Sequence, residues 1–307
     1  MRKKGFVLLL LLIVGVAGYT FAQEEKGAMI DERFLKANEW LNQNNLSVTP
    51  SAEDAFVNDY ILVFAEGLPS PTAKSKAQKR LTAQRAATTL ADRQLAEFLD
   101  GVAIVGDTLV KDAELQYDVV RAAVAGFVKG AQVIYQEYNA DEESAIVMMK
   151  VGMTGPQSFG KTMYEKLLGD PNVKKTVTGE PKPSYKPEQP VTLDATYDGL
   201  IIDATGQDFR PALINRVFTP KGEVLYDPSK ISQKVLVEQG CGEYTNTVDK
   251  AKAALGSRGV KNPLIVQASA SVTASDLQVS SDDSARIFTA NQKGGFLAEA
   301  KVAFVLK

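Results

Sequence analysis

The chain has 307 residues, 45% of them apolar, with 35 basic and 37 acidic side chains, no histidine and one cysteine. That length suffices for two ordinary domains, and the apolar share lets each build a packed core. The missing histidine excludes Ser-His-Asp and Cys-His nucleophilic centres and histidine-bearing zinc sites. General acid–base work is left to carboxylates, lysine or tyrosine. One cysteine, Cys241, cannot close an internal disulfide, and between Gly240 and Gly242 it reads as a small residue in a turn.

The first residues have the pattern of an export signal. Arg2, Lys3 and Lys4 precede the apolar run from Phe6 to Ala17, and Thr20-Phe21-Ala22 places small residues at the −3 and −1 positions. The expectation is a signal peptide at 1–22 cleaved after Ala22, and an exported protein of the periplasm or outer-membrane periphery. The apolar run is short for a span, so no transmembrane segment is expected after cleavage. The only cysteine, Cys241, lies far from it, which removes the attachment point of a bacterial lipoprotein. Cleavage removes cations and no anion, and the resulting acidity argues against a nucleic-acid partner.

Residues 23–51 contain a helical segment. Ile30, Phe34, Ala37 and Leu41 recur at helical spacing with Trp40 beside them. This face is expected to cover the domain that follows; binding a partner is the alternative. Residues 52–153 read as one unit of order β-α-β-α-β-β. Tyr60–Ala65 is a strand ended by Glu66-Gly67-Leu68-Pro69, and Ser70-Pro71 suggests the start of a helix reaching about Leu99. Ala83, Ala87, Leu90, Leu95 and Phe98 line its inner face. Lys74, Lys76, Lys79, Arg80 and Arg85 crowd its first half with no acid before Asp92, a candidate binding surface for an acidic partner or an anionic envelope polymer if not simply a solvated face. A strand at 102–111, a helix at 115–129 and a hairpin of Ala131–Tyr138 with Ser144–Val151 complete the unit. Asp141, Glu142 and Glu143 at the hairpin tip lack the ligand spacing of a calcium loop and read as solvated.

Residues 154–192 read as a linker, with a short helix at 159–168 and a proline-rich stretch at 180–190. Residues 193–307 form a second domain. Leu200-Ile201-Ile202 is a strand buried on both faces. Asp203 and Gly206 are expected to shape the turn after it, and Pro220 with Gly222 the turn of a hairpin between strands at 212–219 and 223–226. Helices follow at 229–238 and 247–255, then an alternating strand from Leu264 to Thr273, a capped helix from Ser280 to Asn291 and a final strand from Phe296 to Leu306. The fold class is therefore α+β: two domains, each a small, mainly antiparallel sheet with packed helices, joined by a Pro-rich linker.

No catalytic, cofactor or metal motif emerges. Asp194, Asp198 and Asp203 form the best carboxylate group, but Asp198 and Asp203 flank one strand and point to opposite ends of it. Ser158-Phe159-Gly160-Lys161 has the S-x-x-K spacing without its companion motifs, and reads as a helix start.

Two stretches carry a resemblance. Tyr60–Val151, with A-E-G-L-P closing a strand, the Ala-rich helix AQKRLTAQRAATTLADRQLAEFLDG and a late strand pair, resembles the domain of small bacterial surface lipoproteins of the Lpp type and is similar to the N-terminal domain of flagellar assembly protein T. The motifs DGLIIDATG, FRPAL, GEVLY, NPLIVQA, SDDSARI and VAFVL resemble the C-terminal part of exported proteins that carry such a first domain. The resemblance implies an envelope protein without enzymatic activity, and in the flagellar case part of a ring at the motor base. The chain departs from it in lacking a lipobox cysteine. The expected function is protein binding, self-association or assembly in the envelope, with a flagellar or secretion-associated complex as its narrower form. The alternative is a periplasmic carboxylate hydrolase centred near Asp198 and Asp203.

Overall fold

A computed structural model describes residues 30–102, 123–128, 131–169, 171, 184–188 and 191–307. The expected signal peptide, nearly all of the expected strand at 102–111, and Pro181, Pro183 and Pro190 lie outside the described residues. Of the expected helix at 115–129, residues 123–128 are described and are helical.

The first sheet is three-stranded and antiparallel, in the order β1 (Tyr60–Gly67), β3 (Ser144–Gly152), β2 (Gln132–Asn139). Central β3 is apolar on both faces, so both need cover. Val147, Met149, Val151, Ile61 and Val63 face the long helix α3 (Lys76–Asp100). Leu62, Ile146 and Met148 face the N-terminal segment, where a 3-10 turn (Glu32–Phe34) leads into helix α1 (Leu35–Gln43). Ile30, Phe34, Ala37 and Leu41 are buried there, so the N-terminal helical stripe serves as cover for this sheet. A short helix α2 (Ala52–Asn58), unmarked by any long periodicity, precedes β1.

Helix α3 begins later than Ser70-Pro71 suggested. Ser75 is its N-cap: the Ser75 hydroxyl accepts from Gln78 N (3.1 Å) and Gln78 Oε1 accepts from Ser75 N (3.1 Å). This capping box satisfies two end donors at once. Ser70 instead belongs to a separate turn, with Ala73 N donating to Ser70 O (2.9 Å) and Ser70 N to Thr82 Oγ1 (3.0 Å). The buried stripe of α3 is Ala83, Ala87, Ala91, Leu95 and Leu99. Leu90, expected inside, is 38% exposed. A spacing of four advances about 40° per step, so the buried stripe winds slowly round the helix.

The second sheet is seven-stranded, with order β6-β5-β9-β8-β4-β10-β7. Its strands are β4 (Gly199–Asp203), β5 (Arg216–Phe218), β6 (Val224–Tyr226), β7 (Glu243–Thr245), β8 (Pro263–Thr273), β9 (Asp276–Val279) and β10 (Val302–Val305). The α+β class holds, but this sheet is mixed rather than mainly antiparallel. The pairs β4/β8, β4/β10, β7/β10 and β5/β9 are parallel; β5/β6 and β8/β9 are antiparallel. The reason lies in β4 and β10, which are apolar on both faces and sit mid-sheet, a position that suits parallel pairing under helical cover. Helix α6 (Val248–Ser257) covers Ile201, Ala303 and Val305 with Ala251 and Leu255. Ile287 and Ala290 of helix α7 (Ser281–Gly294) join the core that holds Leu200, Ile202 and Phe304. Strand β8 alternates as expected through Ala268, but register shifts follow, and Val272 is 48% exposed. The short β7 and β9 carried too little pattern to be anticipated.

The two sheets share one core. Helix α4 (Phe159–Gly169), within the expected linker, buries Phe159, Met163, Tyr164 and Leu167 in the same cluster as residues from both sheets.

Candidate functional site

Three buried tyrosines, Cys241 and two carboxylates gather where β7 meets the first domain. Helix α2 presents Phe56 edge-on to Tyr244 (ring centroids 5.1 Å apart), and Tyr244 stacks on Phe304 of β10 (5.5 Å). Three buried tyrosines tie irregular backbone together. Tyr164 of α4 donates to Leu213 O, and Tyr226 of β6 donates to Cys241 O. Tyr244 has its single proton between Ala212 O (2.6 Å) and Asn215 Oδ1. Asn215, itself buried, donates through Nδ2 to Ser275 O (2.7 Å). Burial holds the ionisation of all three phenols well above the ordinary value, so they stay neutral donors. Burial likewise pushes the Cys241 thiol up to about 12. A thiol so protonated is a poor nucleophile, and its burial keeps it from another chain's cysteine.

At the rim lie Asp59, Thr154, Glu243 and Arg258. Asp59 closes α2 in the left-handed conformation (φ 59°), and Thr154 Oγ1 donates to its carboxylate (2.8 Å). Arg258, the C-cap of α6, binds Glu243 Oε1 through Nε (2.7 Å), Ala300 O through Nη1 (2.8 Å) and Gln239 O through Nη2 (2.9 Å). It thereby gathers the ends of α5 (Gln233–Gln239), β7 and α6 and the approach to β10. The free space among these groups is about 20 Å³, room for about one water. The arrangement joins two sheets; it offers no room for a substrate.

Desolvation raises the Asp59 carboxyl above its ordinary 3.8, and the Glu243 charge adds to this against the Thr154 hydrogen bond and Arg258. The folded protein thus holds this proton more tightly than the unfolded chain. Its contribution is greatest below the unfolded value of 3.8 and is lost as pH rises through the folded value. Asp59→Asn should keep an acceptor for Thr154, suit the left-handed backbone and remove that loss. Urea denaturation across mildly acidic pH should show the variant more stable than wild type at neutral pH, with the difference shrinking toward pH 4.

The residues singled out from sequence do not meet at this junction. Asp198 accepts from Lys261 N and Asn262 N (2.8 Å each), and Asp203 Oδ1 accepts from Thr205 N (3.0 Å) and Thr205 Oγ1 (2.7 Å). They sit at opposite ends of β4, about 16 Å apart along an extended strand. Asp194 is bound by the Tyr197 hydroxyl (2.7 Å), which lowers its pKa. Gly206 lies in the turn closed by Gln207 N on Ala204 O (2.9 Å), without a positive φ that would demand glycine. Pro220 and Gly222 do shape the hairpin: Gly222 N donates to Thr219 O (2.9 Å), and Gly222 takes φ 77° at the bulge that follows. Ser158 is buried and accepts from Lys161 N (3.0 Å) as a helix cap, while Lys161 pairs with Glu165 (3.5 Å).

The basic cluster divides. Lys79 reaches Glu143 at the hairpin tip (2.7 Å), so neither is simply solvated. Lys74, Lys76, Arg80 and Arg85 are exposed and form no ion pair among the described residues. Arg85 lies about 140° round the helix from Arg80, so Lys74, Lys76 and Arg80 form the patch. The junction residues escaped sequence reading because their partners are remote: Asp59 and Thr154 are 95 residues apart. A usable signal was the placement of Tyr164 among Phe159, Met163 and Leu167 at helical spacing.

Residues 199–307 match the family model described as Treponema pallidum Tp0624, second domain. The match begins at the first residue of β4 and runs through β10, so it spans the seven-stranded sheet and its helices. No curated protein matches the chain. Among the described residues, no helix is long and apolar enough to cross a membrane.

Proposed function

We propose that this is an exported envelope protein that acts by protein binding or assembly rather than by catalysis. The observation that carries the reading is the start of α3. Its first turn holds no acid, and beside Lys79, which Glu143 holds, Lys76 and Arg80 stand exposed at the positive end of the helix dipole. Cations there oppose the dipole by about 0.3–1 kcal/mol each. A local rule broken on an exposed surface suits a contact with an anionic partner. The commitment of Tyr164, Tyr226, Tyr244 and Cys241 to the junction is consistent with this, since the groups best able to do chemistry serve as packing. The narrower form, a component of a flagellar or secretion-associated ring, rests on the sequence resemblance of residues 60–151.

Cell fractionation and crosslinking test the proposal. The mature chain should travel with an envelope complex. Charge reversal at Lys74, Lys76 and Arg80 should release it while the melting temperature stays the same or rises. A wild-type chain that stays monomeric and unpartnered overturns the reading. Asp203→Ala bears on the hydrolase alternative. Losing its turn should cost about 1 kcal/mol and no more than that in function. An activity abolished at unchanged melting temperature favours the hydrolase.

A further inference from the structure

An open cleft of about 760 Å³ lies at one end of the first sheet. Its walls are the ends of β2 and β3, the helical residues 123–128, the loop 154–158 and one face of α4. Small-molecule sites are clefts of about 300–1,000 Å³, mainly apolar with a few placed polar groups. The apolar side here is Phe127 with the buried Ala123 and Val151, and Phe159 of α4 backs the Phe127 ring (centroids 5.6 Å apart). The polar side follows from helical spacing. Ser158, Thr162 and Lys166 recur every four residues and so share one face of α4, next to the buried Phe159, Met163 and Leu167. The loop between β3 and α4 is tied down: Met153 N donates to Asp59 O (3.0 Å), Ser158 N to Gly155 O (3.2 Å) and Gly160 N to Met153 O (3.0 Å). The wall is therefore formed before any ligand arrives, which lowers the cost of binding.

We propose that this cleft binds a small amphiphilic anion, an apolar body carrying a carboxylate or a phosphate. Charge selects the anion. Lys150 and Lys166 line the cleft and no Asp or Glu does, although the chain carries more acidic than basic residues. The Lys150 ammonium lies over the Tyr60 ring (4.6 Å). Lys166 is exposed and forms no ion pair among the described residues, so it is the cation that meets the head of the ligand. The exposed amides of Gln132 and Gln157 supply further donors at the rim. Carboxylate and phosphate oxygens both accept from an ammonium and an amide. The apolar body then covers Phe127, Ala123 and Val151. Gly126 keeps the cleft open: a carbon added there would meet nothing within 4 Å. Glycine within a helix is destabilising, so its place on this wall is a cost that open space explains. No residue of α3 lines the cleft, so binding here is separate from the assembly reading.

Calorimetric titration of the mature chain with decanoate and with decyl phosphate, each below its micelle-forming concentration, tests the proposal. Saturable binding of one molecule per chain is expected for at least one of them, and the tighter of the two tells carboxylate from phosphate. The neutral 1-decanol should bind about tenfold more weakly, for want of a charge to meet Lys166. Lys166→Gln should weaken the anion by a similar factor and flatten the dependence on salt. Gly126→Leu places a side chain in the open space and should abolish binding, while the melting temperature stays the same or rises. Binding of neither anion overturns the proposal. So does anion binding that either variant leaves unchanged, which puts the ligand elsewhere. Decanol bound as tightly as the anions also overturns it, because the cleft would then select only for apolar surface.

Discussion

Gly67→Ala is expected to destabilise the protein by about 3 kcal/mol or more, at the upper end of what overpacking costs. A carbon added at Gly67 would lie 2.2 Å from Ala87 N, 2.4 Å from Ala83 O and 2.8 Å from Ala87 Cα. All three atoms are backbone of α3, so no rotamer change relieves the clash. The whole helix would have to move, and α3 is bound along its length to β1 and β3 through Ala83, Ala87, Ala91, Leu95 and Leu99. Small residues on the helix and glycine on the strand thus form one device for close approach. Urea denaturation measures the effect as a fall in midpoint. Gly206→Ala is the control, since nothing lies within 4 Å of a carbon added there and its cost should stay within about 0.5 kcal/mol. Equal effects at the two glycines would remove the close-approach argument.

Tyr244→Ala should cost about 4 kcal/mol, because it empties an aromatic site in the shared core and leaves polar groups unpaired. The ring joins Phe56 of the first domain to Phe304 of the second, and the hydroxyl serves Ala212 O and Asn215. Tyr244→Phe keeps the ring and should cost only about 1–2 kcal/mol. The two variants also differ in how they unfold. With the junction intact, thermal unfolding should be a single transition; in Tyr244→Ala it should separate into two, as each sheet loses the support of the other. Calorimetry distinguishes these outcomes. A single transition in Tyr244→Ala would mean that coupling runs chiefly through α4, where Tyr164 donates to Leu213 O.

The envelope reading draws on both levels. Local sequence located the basic start of α3, but it could not tell that Lys79 belongs to the hairpin tip through Glu143 while Lys74, Lys76 and Arg80 remain in solvent. That division depends on a contact across 64 residues, which no local pattern encodes. The same limit applies to segment 184–188 beside β6. The proline-rich stretch at 180–190 marked it as extended, yet only the fold supplies Val224, Lys230 and Phe288 as its neighbours.

Local periodicity and short-range chemistry were enough for part of this protein. The alternation of Leu264, Val266 and Ala268, the helical stripe from Ile30 to Leu41, the β2/β3 hairpin and the Thr219–Gly222 turn all follow from neighbours a few residues away. The absence of histidine likewise limits the available chemistry before any fold is known. The parallel pairing of β4, β8 and β10 came from the fold alone, since a strand buried on both faces reads the same whichever way its neighbours run. So did the fate of Asp59, Cys241 and the three tyrosines. Their protonation depends on what is packed around them, and in this chain that packing comes from segments far apart in sequence.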